Sequence, residues 1–569
     1  MESVNSMEMK KAYAKPLAGL IALASVGFAV FHGIYGNMVI TLNDDISFWT
    51  IAGITVAAGV MMLISAFREK GFVSAAAVLL QIAGLVCFDY YVGSGLEGAA
   101  TLDLDWFAVI ICLVTCVMGA IVCWRTGGSI HHIVSILAVC GMALSDDLLW
   151  MFMFWTILTY CSYRLVKTDR AGAADCAAKL LAVNSFAGVS FCVGISVSGL
   201  VFDTVDITTL NLIDTVYADM IAMSCIFMVL AGMMRSMQIP FQRWFSHEYK
   251  VSAGAGSIIQ AVTLVNSGAV LVIKMAPAMG VSNFAGLMAI IIGGVTFFIS
   301  SLNAITEINS RKMLADSTSS IMGLVIMCAG IGNSEAVWAA IILLIFHSVA
   351  KPLLLAGTEQ GRLRTDLVMG VIVMMAAPFA IVLLQRESLG SIVDTGNIIL
   401  AMILCFSGAI AILYWTRWLG TMIGEAVSEG IEGINLKEMN PFKANAWLLI
   451  LLILGLPFLS RYMVVPYMGE LFGGMSAAAN LTDNIMDSAV IAAAVALAAY
   501  PMYKGVQRDE SRQSDRNKEV GGTREILRKS KSTIRAQIIC SIVAIAVIVM
   551  CLGFIILNLS ELLGGVLQW

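Results

Sequence analysis

The chain has 569 residues, 59% of them hydrophobic and 13% charged, with a mean hydropathy of +0.89. A soluble domain carries roughly 25% charged residues, so this composition excludes a water-soluble globular protein and predicts a multi-spanning membrane protein. The net charge of −4 speaks against nucleic-acid partners.

Lys10, Lys11 and Lys15 precede an apolar run long enough to span, which predicts an anchored first helix and not a cleaved signal peptide. A span needs roughly 20 apolar residues. That rule predicts helices at 16–40, 47–67, 73–92, 104–124, 129–145, 147–166, 174–200, 217–240, 254–275, 282–301, 316–332, 336–357, 366–385, 396–418, 445–464, 483–503 and 535–558. The expected fold is an all-α polytopic membrane protein with about 17 transmembrane helices. Residues 505–535 form the one long polar segment. They read as a solvated cytoplasmic linker, with a short helix gripping a neighbouring subunit or anionic lipid as the alternative.

The loops alternate in charge. One set carries Arg68/Lys70, Arg125, Arg164/Lys167/Arg170, Arg243/Lys250, Arg311/Lys312, Arg362/Arg364, Lys437/Lys443 and the tract from Lys504 to Arg535. The other carries Asp44/Asp45, Asp103/Asp105, Asp146/Asp147, Asp203/Asp206/Asp214 and Glu335. Lys and Arg mark the cytoplasmic side, which predicts a cytoplasmic N-terminus and an outside C-terminus in a cell (inner) membrane.

A few polar residues interrupt this frame. Residues 235–268 place a positive charge (Arg235), a helix-breaking proline (Pro240) and a Gly/Ser-rich turn in an apolar context. Charge and irregular backbone at membrane depth are expensive unless they line a protein-enclosed path, which points to ion movement. Arg235 reads as a fixed intramembrane charge, or as an arginine snorkelling to the interface beside Arg243 and Lys250. His347 and Lys351 fall one turn apart on one helix face, just before Pro352. Two switchable groups so placed can pass a proton through a water, unless Lys351 pairs statically with a carboxylate. Asp316, beside Ser317 and Thr318, reads as a helix cap or an acidic partner. Lys179 lies near the start of its helix and can belong to the interface. Gln385-Arg386-Glu387 follows Pro378, a second proline-broken helix of the kind that marks repeats around a transport site. The thirteen cysteines include no C-x-x-C pair and mostly lie in apolar runs, so they read as small buried hydrophobes, with a metal or cluster site as the alternative. With no G-x-G-x-x-G and no P-loop in the sequence, no nucleotide is expected on this chain.

Four stretches, in order over roughly residues 100–420, resemble the antiporter-like membrane subunits of respiratory complex I, group 4 membrane-bound hydrogenases and multisubunit cation/proton antiporters. They are Ser145–Tyr163 (SDDLLWMFMFWTILTYCSY), Arg235–Gly268, Arg311–Thr318 (RKMLADST) and His347–Gly357 (HSVAKPLLLAG). The resemblance implies two inverted five-helix repeats, about 129–275 and 282–418, each with a proline-broken helix. These would form a core over 101–420, between accessory helices at 1–100 and C-terminal helices at 421–569. It also implies a water-filled polar axis and no cofactor in this chain. The implied partners are other membrane subunits and hydrogenase-like or iron–sulfur redox subunits.

The departures are as informative. The family's glutamate is Thr156 here, its first lysine is Arg235, and its next histidine is Gln260. Ser185 and Gly188 stand where arginine and aspartate are usual, and Gln385 holds the second lysine position. Arginine does not release its proton in proteins, so the first half looks stripped of its switch. The residues singled out above, with Thr156 and Gln260 added by the resemblance, give an ion-path set of Lys351, His347, Arg235, Glu387, Arg386, Gln385, Asp316, Lys179, Thr156 and Gln260. The expected function is ion, chiefly proton, translocation in a redox-driven complex. A cation/proton antiporter or anion-transport subunit without electron transfer, and a non-conducting structural paralogue, are the alternatives.

Overall fold

The computed structural model describes residues 2–358 apart from 42–43, 70, 89–100, 168–171, 243–250, 282 and 308–309. It also describes 455–473 apart from 457, and isolated positions between 370 and 418. Pro378, Gln385, Arg386 and Glu387 lie outside the described residues, as do Arg243, Lys250 and nearly all of the helices predicted beyond residue 358. Contacts divide the chain into two compact units. One comprises 1–300, 314–356 and 462–475; the other comprises 301–313, 357–461 and 476–569. All contacts discussed below lie within the first unit.

In chain order the helices are α1 (Glu2–Tyr35), α2 (Asp44–Arg68), α3 (Phe72–Phe88), α4 (Trp106–Thr126), α5 (Ile130–Leu144), α6 (Leu148–Val166) and α7 (Ala173–Phe202), then short α8 (Ile207–Asn211) and α9 (Ala218–Arg235). Next come α10 (Ala253–Ser257), a π-helical turn (Ile258–Val262), α11 (Leu264–Lys274), short α12 (Ala276–Val281), α13 (Asn283–Thr306), α14 (Ser310–Ile331) and α15 (Ser334–Thr358). Among the described residues, nine helical stretches are long and apolar enough to cross a membrane. Two short strands, β1 (Met38–Thr41) and β2 (Thr101–Leu104), pair antiparallel with Met38 opposite Leu104.

The charge alternation of the loops has a direct structural counterpart. The acidic connections meet at one end of the bundle. β1 pairs with β2 there, Leu102 bridges to Ser145, and Asp147 bridges to Asp206. Lys274, at the end of α11, reaches the same end and donates to the Ser145 carbonyl at 2.8 Å. Asp105 and Asp147 do more than mark a side. Each accepts backbone N–H groups at the start of the following helix, Asp105 from Ala108 (2.6 Å) and Asp147 from Leu149 (2.6 Å) and Trp150 (3.1 Å). Carboxylates there satisfy orphan donors and suit the helix dipole. At the opposite end Lys167 pairs with Glu69, which also accepts from Tyr163 Oη at 3.0 Å, and Thr126 closes against Gly254.

Three expectations need correction. The Gly/Ser-rich stretch 252–257 is not a turn: Ser252 caps α10 by accepting from Ala255 N at 3.3 Å, and the chain continues helically. The irregularity falls one turn later, in the π-helical turn, where Thr263 N reaches back to Ile258 O at 2.8 Å. α9 stops at Arg235, five residues before Pro240, which is preceded by a cis peptide bond; a ring without an N–H cannot carry the helix onward. Pro352, by contrast, lies inside α15, which continues to Thr358. Asp316 is not a cap, because α14 begins at Ser310 and places it in the second turn.

Glycines set the closest approaches. Gly232 of α9 meets Gly268 of α11 backbone to backbone, and Gly286 and Gly293 of α13 do the same with Gly330 and Gly323 of α14. A side chain at any of these would strike a backbone oxygen, and small residues at helix crossings are the usual device for tight packing in lipid.

Candidate functional site at the middle of the bundle

Arg235 is fully buried, not snorkelling. Ending α9 at residue 235 leaves its side chain level with the middles of α6 and α7. There Nε donates to Asn184 Oδ1 (3.3 Å), Nη1 to Ser267 Oγ (3.4 Å), and Nη2 to the Trp155 carbonyl (3.1 Å) and to Thr159 Oγ1. The guanidinium lies over the Trp155 ring, 3.4 Å from its centroid. Cation–π contacts of this desolvated kind are worth about 2 kcal/mol. The planar, forked cation therefore ties α6, α7, α9 and α11 together through neutral groups alone. Thr156, on the same stretch of α6, is buried with its hydroxyl turned to the Met153 carbonyl at 2.8 Å.

A second cluster lies between α10–α11 and α14–α15. Lys351 is fully buried, and its ammonium donates to Ser317 Oγ. His347, one turn earlier and equally buried, donates from Nε2 to the Gln260 carbonyl in the π-helical turn at 3.2 Å. This bond assigns the proton to Nε2 and leaves Nδ1 as an open acceptor. Gln260 Oε1 accepts from Thr318 Oγ1 at 3.4 Å. Asn266 Nδ2 donates to Ser348 Oγ and to the Ala261 carbonyl, both at 2.8 Å. Because Asn266 and Ser267 are neighbours on α11, one turn of that helix touches both clusters.

The structure thus joins Gln260 to His347 and Thr318, beside the Ser317 that meets Lys351. Lys179 is set apart: it is exposed and ion-paired at 2.9 Å with Asp175, one turn back on α7. Sequence reasoning missed Thr159, Ser267, Ser317 and Ser348, since a neutral hydroxyl in an apolar helix is unremarkable until a charge is seen beside it. Lys274 did carry a signal, a lysine closing an apolar run opposite acidic loops.

At the acidic end, burial dominates the carboxyl groups. It pushes Asp146 up to about 8, reinforced by Asp206 and opposed by Lys274. It pushes Asp105 up to about 7, again against Lys274, and Asp147 to about 6 against its backbone N–H partners. A carboxyl raised above its unfolded value of 3.8 binds protons more tightly when folded. Its stabilisation is full below pH ~4 and is lost as pH rises through about 8. Thermal stability of the detergent-solubilised protein is therefore expected to fall by a few degrees between pH ~6 and ~9, and Asp146→Asn is expected to flatten that slope. A slope of opposite sign, or one unchanged by Asp146→Asn, would contradict the assignment.

Fold and site together define a polytopic helical membrane protein with charged side chains enclosed at mid-bundle. Residues 145–366 match the family model described as NADH:quinone oxidoreductase/Mrp antiporter, transmembrane. That stretch of the chain is similar to antiporter-like membrane subunits of the complex I/Mrp type. The chain is 27% identical over 225 residues to the Na+/H+ antiporter subunit A1 of Staphylococcus saprophyticus, covering 37% of this chain and 28% of that protein. It is 29% identical over 228 residues to the chloroplastic NAD(P)H-quinone oxidoreductase subunit 5 of Mesostigma viride, covering 38% and 34%. The chain thus matches about a third or less of the length of these relatives. Its fold resembles a chain of the Mrp complex from Dietzia sp. (TM-score 0.58, 19% identity, 81% of this chain and 57% of that one). It also resembles a chain of an archaeal membrane-bound sulfane sulfur reductase (TM-score 0.54, 16% identity, 78% and 98%).

Proposed function

We propose that this chain is an ion-translocating membrane subunit of a larger assembly, moving protons chiefly through the His347–Lys351 cluster. The observation that carries the reading is the burial of a lysine and a histidine one turn apart, Lys351 donating to the Ser317 hydroxyl and His347 to the Gln260 carbonyl. Lysine and imidazole exchange protons readily, whereas Arg235 keeps its proton and acts as a fixed charge. Gln260 Nε2, His347 Nδ1 and Asn266 Oδ1 supply one donor and two acceptors without protein partners, a chemistry that bridging water completes. Asp316 is a candidate acidic partner. Gln385, Arg386 and Glu387 are candidates for the continuation of the path beyond Lys351.

The relatives support two couplings. One is named as a Na+/H+ antiporter subunit, and the other belongs to a quinone oxidoreductase. We favour redox-driven coupling through partner subunits, with coupling to a second cation as the alternative. We also place the N-terminus in the cytoplasm, on the strength of the basic loops that end α2, α4 and α6.

Ion flux into sealed, energised vesicles holding the native assembly tests the central claim. Lys351→Ala, compared at matched assembly, is expected to lower flux at least about tenfold, equivalent to ~1.4 kcal/mol on the limiting barrier. Unchanged flux in an intact assembly would remove the relay.

A further inference from the structure

Arg235 is a permanent positive charge with no solvent exposure, and among the described residues no carboxylate pairs with it. An uncompensated charge in a low-dielectric interior is costly even when its hydrogen bonds are made. The partnerless polar groups on the neighbouring turns of α6 and α7 share one character, whereas Gln238 Oε1, three residues after Arg235, is a partnerless acceptor. Four of the guanidinium's five N–H groups have acceptors, leaving one on Nη1. The Trp155 indole N–H, in the ring beneath the guanidinium, has no acceptor. Ser185, next to Asn184, and Ser162, one turn beyond Thr159, have buried hydroxyls without partners. Apart from Gln238 Oε1, every one of these groups can donate. The His347 cluster differs, since its orphans mix donor and acceptors and suit water. A donor-rich surround with one formal positive charge suits an anion.

We infer that Arg235 and the flanking α6–α7 donors form a binding site for a small, weakly hydrated monovalent anion of the halide type, which serves as the arginine's counter-ion. One negative charge balances one guanidinium, and weak hydration limits the cost of bringing the ion to this depth. The site is separate from the proposed relay, so loss of either leaves the other standing.

The test uses the purified full chain in its native assembly, exchanged into sodium gluconate. Sodium chloride or bromide, added at constant ionic strength, is expected to raise the unfolding temperature by a few degrees and to saturate. Thr156→Glu places a carboxylate on the turn of α6 that covers Arg235. It is expected to abolish the halide response and to reproduce the halide-loaded stability without halide. Arg235→Gln is expected to abolish the response as well. Bromide located by anomalous scattering on the unmodified protein needs no variant and should lie beside Arg235 and Trp155. A halide-independent unfolding temperature, a response that survives both substitutions, or bromide bound only elsewhere would each overturn the assignment. Failure of Lys351→Ala to alter flux would leave this site untouched, which keeps the two claims distinguishable.

Discussion

Lys351→Arg is expected to stop ion movement as completely as Lys351→Ala. The substitution keeps a positive charge at the same place on α15, beside Ser317, and so preserves whatever electrostatic anchoring the lysine provides. It removes the ability to give up the proton, since a guanidinium stays protonated at any physiological pH. A relay needs that release; a static ion pair does not. Flux measured in sealed vesicles at matched assembly separates the two. Loss of at least about tenfold, ~1.4 kcal/mol on the limiting barrier, places a titrating group at residue 351. Retained flux would show that only the charge matters and would reduce Lys351 to a structural cation. His347→Gln is a milder companion, because it can still donate to the Gln260 carbonyl while losing the titrating nitrogen.

The second large effect concerns packing. Gly268→Ala would bring a Cβ to 2.4 Å from both the Gly232 carbonyl oxygen and Ser236 Oγ. The carbonyl cannot swing aside, so α9 and α11 must part. Overpacking of this kind costs about 1–3 kcal/mol. Here it would also draw Ser267 away from Arg235, which it meets at 3.4 Å. Gly27→Ala on α1 is the control, because nothing lies within 4 Å of the Cβ it would add; alanine there should stabilise the helix by roughly 0.5–1 kcal/mol. Thermal unfolding should therefore move in opposite directions for the two variants. Equal, small shifts would mean that the helix crossing is looser than the geometry shows.

Much of this architecture could be read in advance, for identifiable reasons. Span length and loop charge are repeated signals, so the starts and ends of α2 to α7 fall within a few residues of expectation. His347 and Lys351 were legible because helical spacing is rigid: four residues apart on one apolar helix must share a face. The contact of Gln260 with His347 was not legible, because it follows from a π-helical turn, which shifts the face a residue presents and leaves no compositional trace. Asp316 misled because Asp-Ser-Thr is a strong capping signature, yet the polar residues before it join the same helix. The neutral cage of Arg235 was illegible for another reason. Thr159, Asn184 and Ser267 acquire meaning only through the charge that three helices bring to them. The resemblance to antiporter-like subunits supplied the positions of the missing acids, which spacing alone does not reveal.

The π-helical turn at Ile258–Val262 has a consequence for how this sequence can change. Such a turn holds one residue more than an α-helical turn of the same span. Deleting one residue within it would restore an α-helical turn over the same span and leave the flanking segments facing as they do, whereas the same deletion in a regular α-helix turns one side by about 100°. The Gln260 carbonyl, which His347 reaches in the widened turn, would be drawn back into the helix's own hydrogen bonds. A one-residue deletion, ordinarily a drastic edit to a membrane helix, would here keep both flanks in place and remove a backbone contact that no side-chain substitution can reach.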